Sequence, residues 1–271
     1  MSAEIPAGAM RFNSDSQKLE YWNGSAWFQV HTATPNLATA GDPTPGARGV
    51  FQGGLAPSDV DTVDYINISS TGNAIDFGDL SAARRLGAAF ASSTRVFAVG
   101  GYDGSNNKDE IEYFTIASTG SRVDFGTNLS NATRSNAGAA NATRGLSLGG
   151  VAPKSNEIDY ITMASDGSAV GSFGVPIMSP GTAIAQAYGT ASPTRAIFGG
   201  GETPGRIKTI QFVTIATLGN SQDFGDLTAA VSGNAAFGNA TRAIFGGGEI
   251  SPTYQRNMES VTISSGGNAV K

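Results

Sequence analysis

The chain contains no cysteine, which excludes disulfides and thiolate metal sites. It holds a single histidine, His31, so one copy cannot build a Ser-His-Asp relay or a multi-histidine metal centre. His31 lies in a Thr- and Pro-rich joining segment and reads as a solvated linker residue. Charge is scarce at 14% of residues, and the 17 Lys and Arg are outnumbered by 22 Asp and Glu, a net charge of −5. Nucleic-acid affinity comes mainly from clustered cations, so this balance argues against a phosphate-binding surface, and no nucleic-acid partner is expected. No apolar run reaches the roughly 20 residues that span a bilayer as a helix. No G-x-x-x-x-G-K-[ST] phosphate cradle occurs. Met1-Ser-Ala-Glu-Ile-Pro6 lacks the basic and apolar regions of a secretory signal, so no export leader is expected.

Glycine is abundant, with 37 residues, and 39% apolar content is enough for a core. The glycines are ordered. Arg48-Gly-Val-Phe-Gln-Gly-Gly, Arg95-Val-Phe-Ala-Val-Gly-Gly, Arg144-Gly-Leu-Ser-Leu-Gly-Gly, Arg195-Ala-Ile-Phe-Gly-Gly and Arg242-Ala-Ile-Phe-Gly-Gly are five copies of one phrase. Their arginines are 47, 49, 51 and 47 residues apart. A period of that length marks a repeated supersecondary unit, and four strands per unit at this length make a propeller blade.

The second copy serves as template. Gly87–Ala91 predicts a small-residue strand for the crowded centre, and Arg95–Gly101 a second strand. Glu110–Ala117, with alternating β-branched and aromatic residues, predicts a third, and Arg122–Gly126 a fourth. The small-residue strand recurs at 137–140, 183–187 and 233–236. A hairpin glycine recurs at Gly72, Gly120, Gly167, Gly219 and Gly267, where positive φ is expected. Tyr65, Tyr113, Tyr160 and Phe212 are expected to fill the widening gaps between blades. The last unit stops short, and an unpaired sheet edge needs cover. Counting back from Arg48 reaches Ala26–Val30, which predicts a closing strand. The expected fold is all-β: a five-bladed β-propeller of four-stranded antiparallel blades, closed by an N-terminal strand. Residues 1–36 would form an N-terminal hairpin with that strand, and residues 37–271 the propeller.

Gly-Gly followed by Tyr65, Tyr113 and Tyr160 resembles a kelch repeat, although the kelch Trp is replaced by Phe77 and Phe125, twelve residues after the Tyr. Gly8-Ala-Met-Arg-Phe-Asn-Ser-Asp-Ser-Gln-Lys-Leu-Glu-Tyr-Trp-Asn-Gly-Ser-Ala-Trp-Phe28 resembles the short hairpin module of tail fibres and other virion proteins of tailed bacteriophages. Arg195-Ala-Ile-Phe-Gly-Gly-Gly and Tyr113-Phe-Thr-Ile-Ala-Ser-Thr-Gly resemble propeller repeats of phage structural proteins. The resemblance implies a virion component, in a tail fibre, appendage or surface decoration, that serves assembly and host-surface attachment. It would be made in the host cytoplasm, bind other virion proteins and a host surface glycan or receptor, and insert into no membrane.

The repeated arginines are expected to serve the blade, bonding loop carbonyls or acids such as Asp76, Asp124 and Asp223, rather than form a ring for anionic sugars. Asn131-Ala-Thr, Asn141-Ala-Thr and Asn239-Ala-Thr read as turns rather than glycosylation sites. Asp103–Asp109 departs from the EF-hand pattern. Neither a metal nor a cofactor is expected, and no catalytic cluster emerges, so the protein reads as a non-enzyme. The loops after Gly-Gly differ most between copies, which is where a repeated scaffold carries recognition. Tyr102, Asp103, Asn106 and Asn107 in the second unit, with Tyr254, Gln255 and Arg256 in the fifth, are the candidate contacts to a ligand or partner. A carbohydrate-binding lectin is the alternative, although such a lectin repeats its sugar contacts and these loops do not. A polysaccharide hydrolase fits least.

Overall fold

The computed structural model describes residues 5–13, 18–29, 48–68, 71–120, 122–151, 157–167, 170–175, 184–217, 219–250 and 252–271. His31, Val30 and the expected boundary at residue 36 lie outside the described residues. The described residues form strands and no helix. The chain divides into two compact units, Met1–Ala40 and Gly41–Lys271.

In the first unit, β1 (Met10–Asn13), β2 (Lys18–Trp22) and β3 (Trp27–Gln29) make an antiparallel meander. Asn23 sets the second turn, its Oδ1 accepting the N–H groups of Ser25 and Ala26 at 2.8 Å each. Trp22 faces Trp27 across the strands with ring centres 5.5 Å apart, and Tyr21 stacks on Phe28 at 5.8 Å. The Glu20 carboxylate accepts from Asn13 Nδ2 at 3.0 Å and Arg11 Nε at 2.9 Å, and these bonds hold its carboxyl below the usual range. This module is three-stranded rather than a hairpin. Trp27–Gln29 pairs with β2 and is the third strand of this sheet.

The second unit holds five antiparallel sheets, one per repeat. They are β4 (Arg48–Leu55), β5 (Asp59–Asn67) and β6 (Ile75–Asp79); β7 (Ala88–Ala91), β8 (Arg95–Tyr102), β9 (Asn107–Thr115) and β10 (Val123–Asp124); β11 (Ala137–Ala140), β12 (Arg144–Leu148), β13 (Ile158–Thr162) and β14 (Gly171–Gly174); β15 (Tyr188–Ala191), β16 (Arg195–Gly199), β17 (Glu202–Thr203), β18 (Gly205–Thr214) and β19 (Gln222–Val231); β20 (Ala235–Gly238), β21 (Arg242–Gly246) and β22 (Met258–Thr262). Among the described residues, four strands hold in the second and third repeats. The fourth has an extra short strand, and the first and last show three. The first strands of the fourth and fifth repeats begin later than expected, at Tyr188 and Ala235, because residues 185 and 232 pair with the loops at Glu202 and Glu249 instead. In the last repeat Val270 exchanges both backbone bonds with Ser260, at 2.7 and 3.0 Å. The outer position expected for an N-terminal strand is therefore begun by the C-terminus itself. Of the hairpin glycines, Gly120, Gly167, Gly219 and Gly267 have positive φ, whereas Gly72 does not.

The second to fifth repeats start their second strand from a side-chain turn. Ser92 Oγ accepts the N–H groups of Thr94 and Arg95, and Ser192 Oγ those of Thr194 and Arg195. Asn141 Oδ1 and Asn239 Oδ1 do the same for Thr143 and Arg144, and for Thr241 and Arg242. The sequon-like Asn141 and Asn239 are turn residues, because a short polar side chain can replace a backbone acceptor there.

Gly-Gly and Arg join each repeat to the next. The second glycine donates its N–H across the junction: Gly54 to Arg84 O, Gly101 to Thr133 O, Gly150 to Ile184 O and Gly201 to Val231 O, at 2.7–2.9 Å. The first glycine has φ between +61° and +69°. A Cβ there would sit 2.3–2.8 Å from that same carbonyl oxygen, so only glycine allows the approach. The arginines reach the following repeat too. Nη1 of Arg48, Arg95, Arg144 and Arg195 donates to the carbonyls of Ile116, Met163, Ile215 and Ile263 at 2.6, 2.9, 2.7 and 2.9 Å. On the way each guanidinium covers the ring of Tyr65, Tyr113, Tyr160 or Phe212, 4.2–5.1 Å from its centre. The expected pairing with Asp76, Asp124 and Asp223 does not occur. Those carboxylates accept the N–H groups of Gly78, Gly126 and Gly225 within their own turns.

Four apolar clusters fill the four junctions. They centre on Phe77 and Phe114, on Phe97 and Phe125, on Leu146 and Phe198, and on Phe224 and Phe245. Burying one such aromatic ring contributes about 1.5–3 kcal/mol, so the junctions tie the repeats into one body. At the two ends of the series, Phe51 and Ile68 in the first sheet and Phe237 and Met258 in the last stay more than half exposed.

Candidate functional site

The inner strands β7, β11, β15 and β20 lie beside one another and line a cavity of about 450 Å³. Its rim is built by the residues just before these strands. Leu86, Ser135 and Gln186 have φ of 60°, 56° and 54°, and Gly233 has 66°. Ser135 N–H donates to Leu86 O at 2.7 Å, Gln186 N–H to Ser135 O at 2.9 Å and Gly233 N–H to Gln186 O at 3.0 Å. One peptide from each of the second to fifth repeats thus joins a chain of three bonds along the mouth. Non-glycine residues at positive φ are uncommon, and the only three among the described residues sit here. The walls are small, with Gly87, Ala88, Ala89 and Gly138 among them, and the polar groups come from Ser135, Asn136 and Gln186. Asn136 is buried, with Nδ2 on Ser147 Oγ at 2.8 Å and Oδ1 without a partner. The runs of Gly and Ala signalled a crowded centre. Nothing in the series Leu86, Ser135, Gln186, Gly233 signalled a shared backbone conformation.

The loops after Gly-Gly surround this mouth, since Tyr102 bridges Arg85, Val151 bridges Arg134, Glu202 bridges Ala185 and Glu249 bridges Ser232. The predicted contact residues divide into two groups. Tyr102 is held between Arg85 and Arg134, whose guanidinium carbons lie 5.2 and 4.4 Å from its ring centre, while its hydroxyl donates to Gly104 O at 2.8 Å. Asp103 shapes its own turn. It accepts the N–H groups of Asn106 at 2.6 Å and Ser105 at 2.8 Å and pairs with Lys108 at 3.0 Å. These bonds, the Asn106 N–H foremost, pull its carboxyl down to about 2. Asn107 Oδ1 accepts from Arg134 Nη1 at 3.1 Å, and Arg85 pairs with Asp59 at 2.5 Å. Tyr102 and Asn107, with Arg85 and Arg134, therefore lock the loops of the first three repeats together, while Asp103 braces its own loop. The basic partners Arg85 and Arg134 went unnoticed because they lie outside the loops, just ahead of β7 and β11.

In the fifth repeat, Tyr254 is 78% exposed and Arg256 is exposed. Gln255 is tied down, with its N–H on Gly248 O at 2.8 Å and its Oε1 on Asn257 Nδ2 at 3.0 Å. Glu249, beside Tyr254, pairs with Arg206 at 2.7 Å. Asn106, Tyr254 and Arg256 are thus the predicted residues left facing solvent on this rim. Toward the second and third repeats the rim is basic and aromatic, with Arg85, Tyr102 and Arg134. Toward the fourth and fifth it carries Glu202 and Glu249.

No known family profile and no curated protein matches this chain. Among solved structures it is similar to one titled "Structure of YjhT", with a TM-score of 0.67 over 92% of this chain and 89% of that one. Sequence identity is 11%, so the likeness is one of fold alone.

Proposed function

We propose that the protein is a non-enzymatic structural component of a tailed-bacteriophage virion, in a fibre, appendage or surface decoration, serving assembly and host-surface attachment. The observation that carries this reading is the separate N-terminal sheet. The segment that resembles the virion hairpin module forms a compact unit with its own sheet, aromatic pairs and turn. One unit then anchors and the other presents loops. We further propose that the five sheets are the blades of one propeller. Closure of the ring is supported by the apolar residues left exposed at both ends of the series, which the first and last blades would cover for one another.

Partners are other virion proteins first, then a host glycan or receptor, met through Asn106, Tyr254 and Arg256. Tyr and Arg give large contacts for little lost freedom, and Asn gives adaptable hydrogen bonds. The test is the triple variant Asn106→Ala, Tyr254→Ala, Arg256→Ala. Tyr102 is left intact because its ring packs between two arginines. The variant is expected to fold normally and to lose particle incorporation or adsorption; normal values of both overturn the reading. The cavity between the inner strands favours a second reading, a carbohydrate-binding lectin. Its volume lies within the range of small-molecule sites, and Ser135 and Gln186 bring polar groups to its lining.

A further inference from the structure

One position carries an acid or amide in every repeat, half-buried in the first and buried in the other four. Asp64, Glu112, Asp159, Gln211 and Glu259 stand opposite the third residue after each repeated arginine, in the same register of the sheet. In three repeats the preceding unit supplies donors: Ser81 N–H to Glu112, Ser130 N–H and hydroxyl to Asp159, and Thr228 N–H and hydroxyl to Glu259. The second repeat also balances the charge, for Glu112 holds the guanidinium of Arg84 at 2.8 Å and that of Arg122 at 3.2 Å.

The third and fifth repeats do not: among the described residues no Lys or Arg pairs with Asp159, whose carboxyl burial pushes up, or with Glu259, and it is the fifth that adds a cavity beside the carboxylate. Arg84, Thr133, Ile184 and Val231 are equivalent, each offering its carbonyl to the second glycine of the preceding repeat. Where Arg84 meets Glu112, Val231 therefore lies near Glu259. Glu259 is 8% exposed, and no Lys or Arg pairs with it among the described residues. Beside it is a cavity of about 10 Å³, lined by Val231, Asn234, Gln255, Asn257 and Glu259 among others. That volume is about the room one water-sized sphere takes. Asn234 is 1% exposed, and neither end of its amide has a partner. Its counterpart Asn136 donates to Ser147 Oγ, but Phe245 stands in the place of that serine.

A buried carboxylate without a counter-charge and a buried amide without a partner are each costly. Here both border one cavity, in the company of two further amide side chains. Oxygen ligands of this kind suit hard cations. A single carboxylate matches a single positive charge, a divalent ion would be left in excess, and a water would leave Glu259 unbalanced. We propose that this cavity binds one monovalent cation of the sodium or potassium class, which does for Glu259 what the Arg84 guanidinium does for Glu112. The proposal is independent of the virion reading.

Thermal melting in sodium, potassium and rubidium chlorides, against choline chloride at the same ionic strength, tests it, because choline cannot enter a one-water cavity. A cation present at about ten times its Kd raises the melting temperature by roughly 3–5 °C. That rise is expected in at least one of the alkali chlorides and should vanish in Glu259→Gln. Val231→Arg, which copies the second repeat, is expected to fold and to lose the salt selectivity, so the test survives a misfolded Glu259→Gln. Crystals grown in rubidium chloride should show an anomalous peak against Glu259. Equal melting in all four salts, selectivity that persists in either variant, or a site holding only water overturns the proposal.

Discussion

Arg195 and Arg242 begin the same phrase, Arg-Ala-Ile-Phe-Gly-Gly-Gly-Glu, and each follows a Thr, yet their surroundings differ. Arg195 donates to Ile263 O at 2.9 Å and Ser264 O at 3.2 Å in the next repeat and covers Phe212 at 4.6 Å. Arg242 is exposed and makes no such bond among the described residues. Replacing each by Met keeps the apolar stem and removes the guanidinium. For Arg195 the loss is a charge-assisted hydrogen bond worth about 1.5–3 kcal/mol and a cation–π contact worth about 0.5–1 kcal/mol. Partial exposure and the retained stem reduce the net to about 2–3 kcal/mol. In a domain of this size that lowers the melting temperature by about 4–12 °C. Arg242→Met is expected to stay within about 0.5 kcal/mol of the parent, a shift of 2 °C or less. Scanning calorimetry of the two variants decides the matter. Equal shifts, whether both large or both small, would refute the argument that these arginines act by bonding the next repeat.

The buried Arg84–Glu112 pair, with side chains only 4% and 3% exposed, makes a second prediction. Glu112→Gln leaves a buried guanidinium short of its counter-charge and is expected to cost about 3–5 kcal/mol by denaturant unfolding, whereas Arg84→Met with Glu112→Leu should be near neutral. Gly149→Ala forces φ of +64° on a residue with a Cβ and drives that Cβ to 2.3 Å from Ile184 O; a loss above about 2 kcal/mol, or insoluble expression, is expected. Asp103 is more acidic in the folded loop than when unfolded, so its stabilisation is complete above its ordinary value of 3.8 and is lost as pH falls toward about 2. Amide exchange at Ser105 and Asn106 should therefore accelerate over that window, and Asp103→Asn should flatten the change.

The repeat was legible because its signature has a local cause. Gly-Gly recurs where a backbone must approach a carbonyl with positive φ, and no other residue fits. Arg recurs because one bond is made four times. The turns at Asn141 and Asn239 could be read because a short polar side chain replaces a backbone acceptor within three residues. Strand counts in the first and last repeats could not be read in this way, since what completes an end repeat depends on contacts distant in sequence. The intramolecular partners of the loop residues could not be read for a related reason. Tyr102 and Asn107 look like free contacts until Arg85 and Arg134, seventeen residues before and thirty-two after Tyr102, fold onto them. The cavity mouth was invisible because Leu, Ser, Gln and Gly share no side-chain property there; what they share is a backbone bond to the preceding repeat.

The functional account rests on the protein being part of a particle, and mass spectrometry of purified particles tests that most directly. Particles banded by density from a lysate that contains this protein should retain it, through salt and detergent washes, at a fixed ratio to the capsid protein. Recovery of the chain only in the soluble fraction, with none in washed particles, would contradict the account.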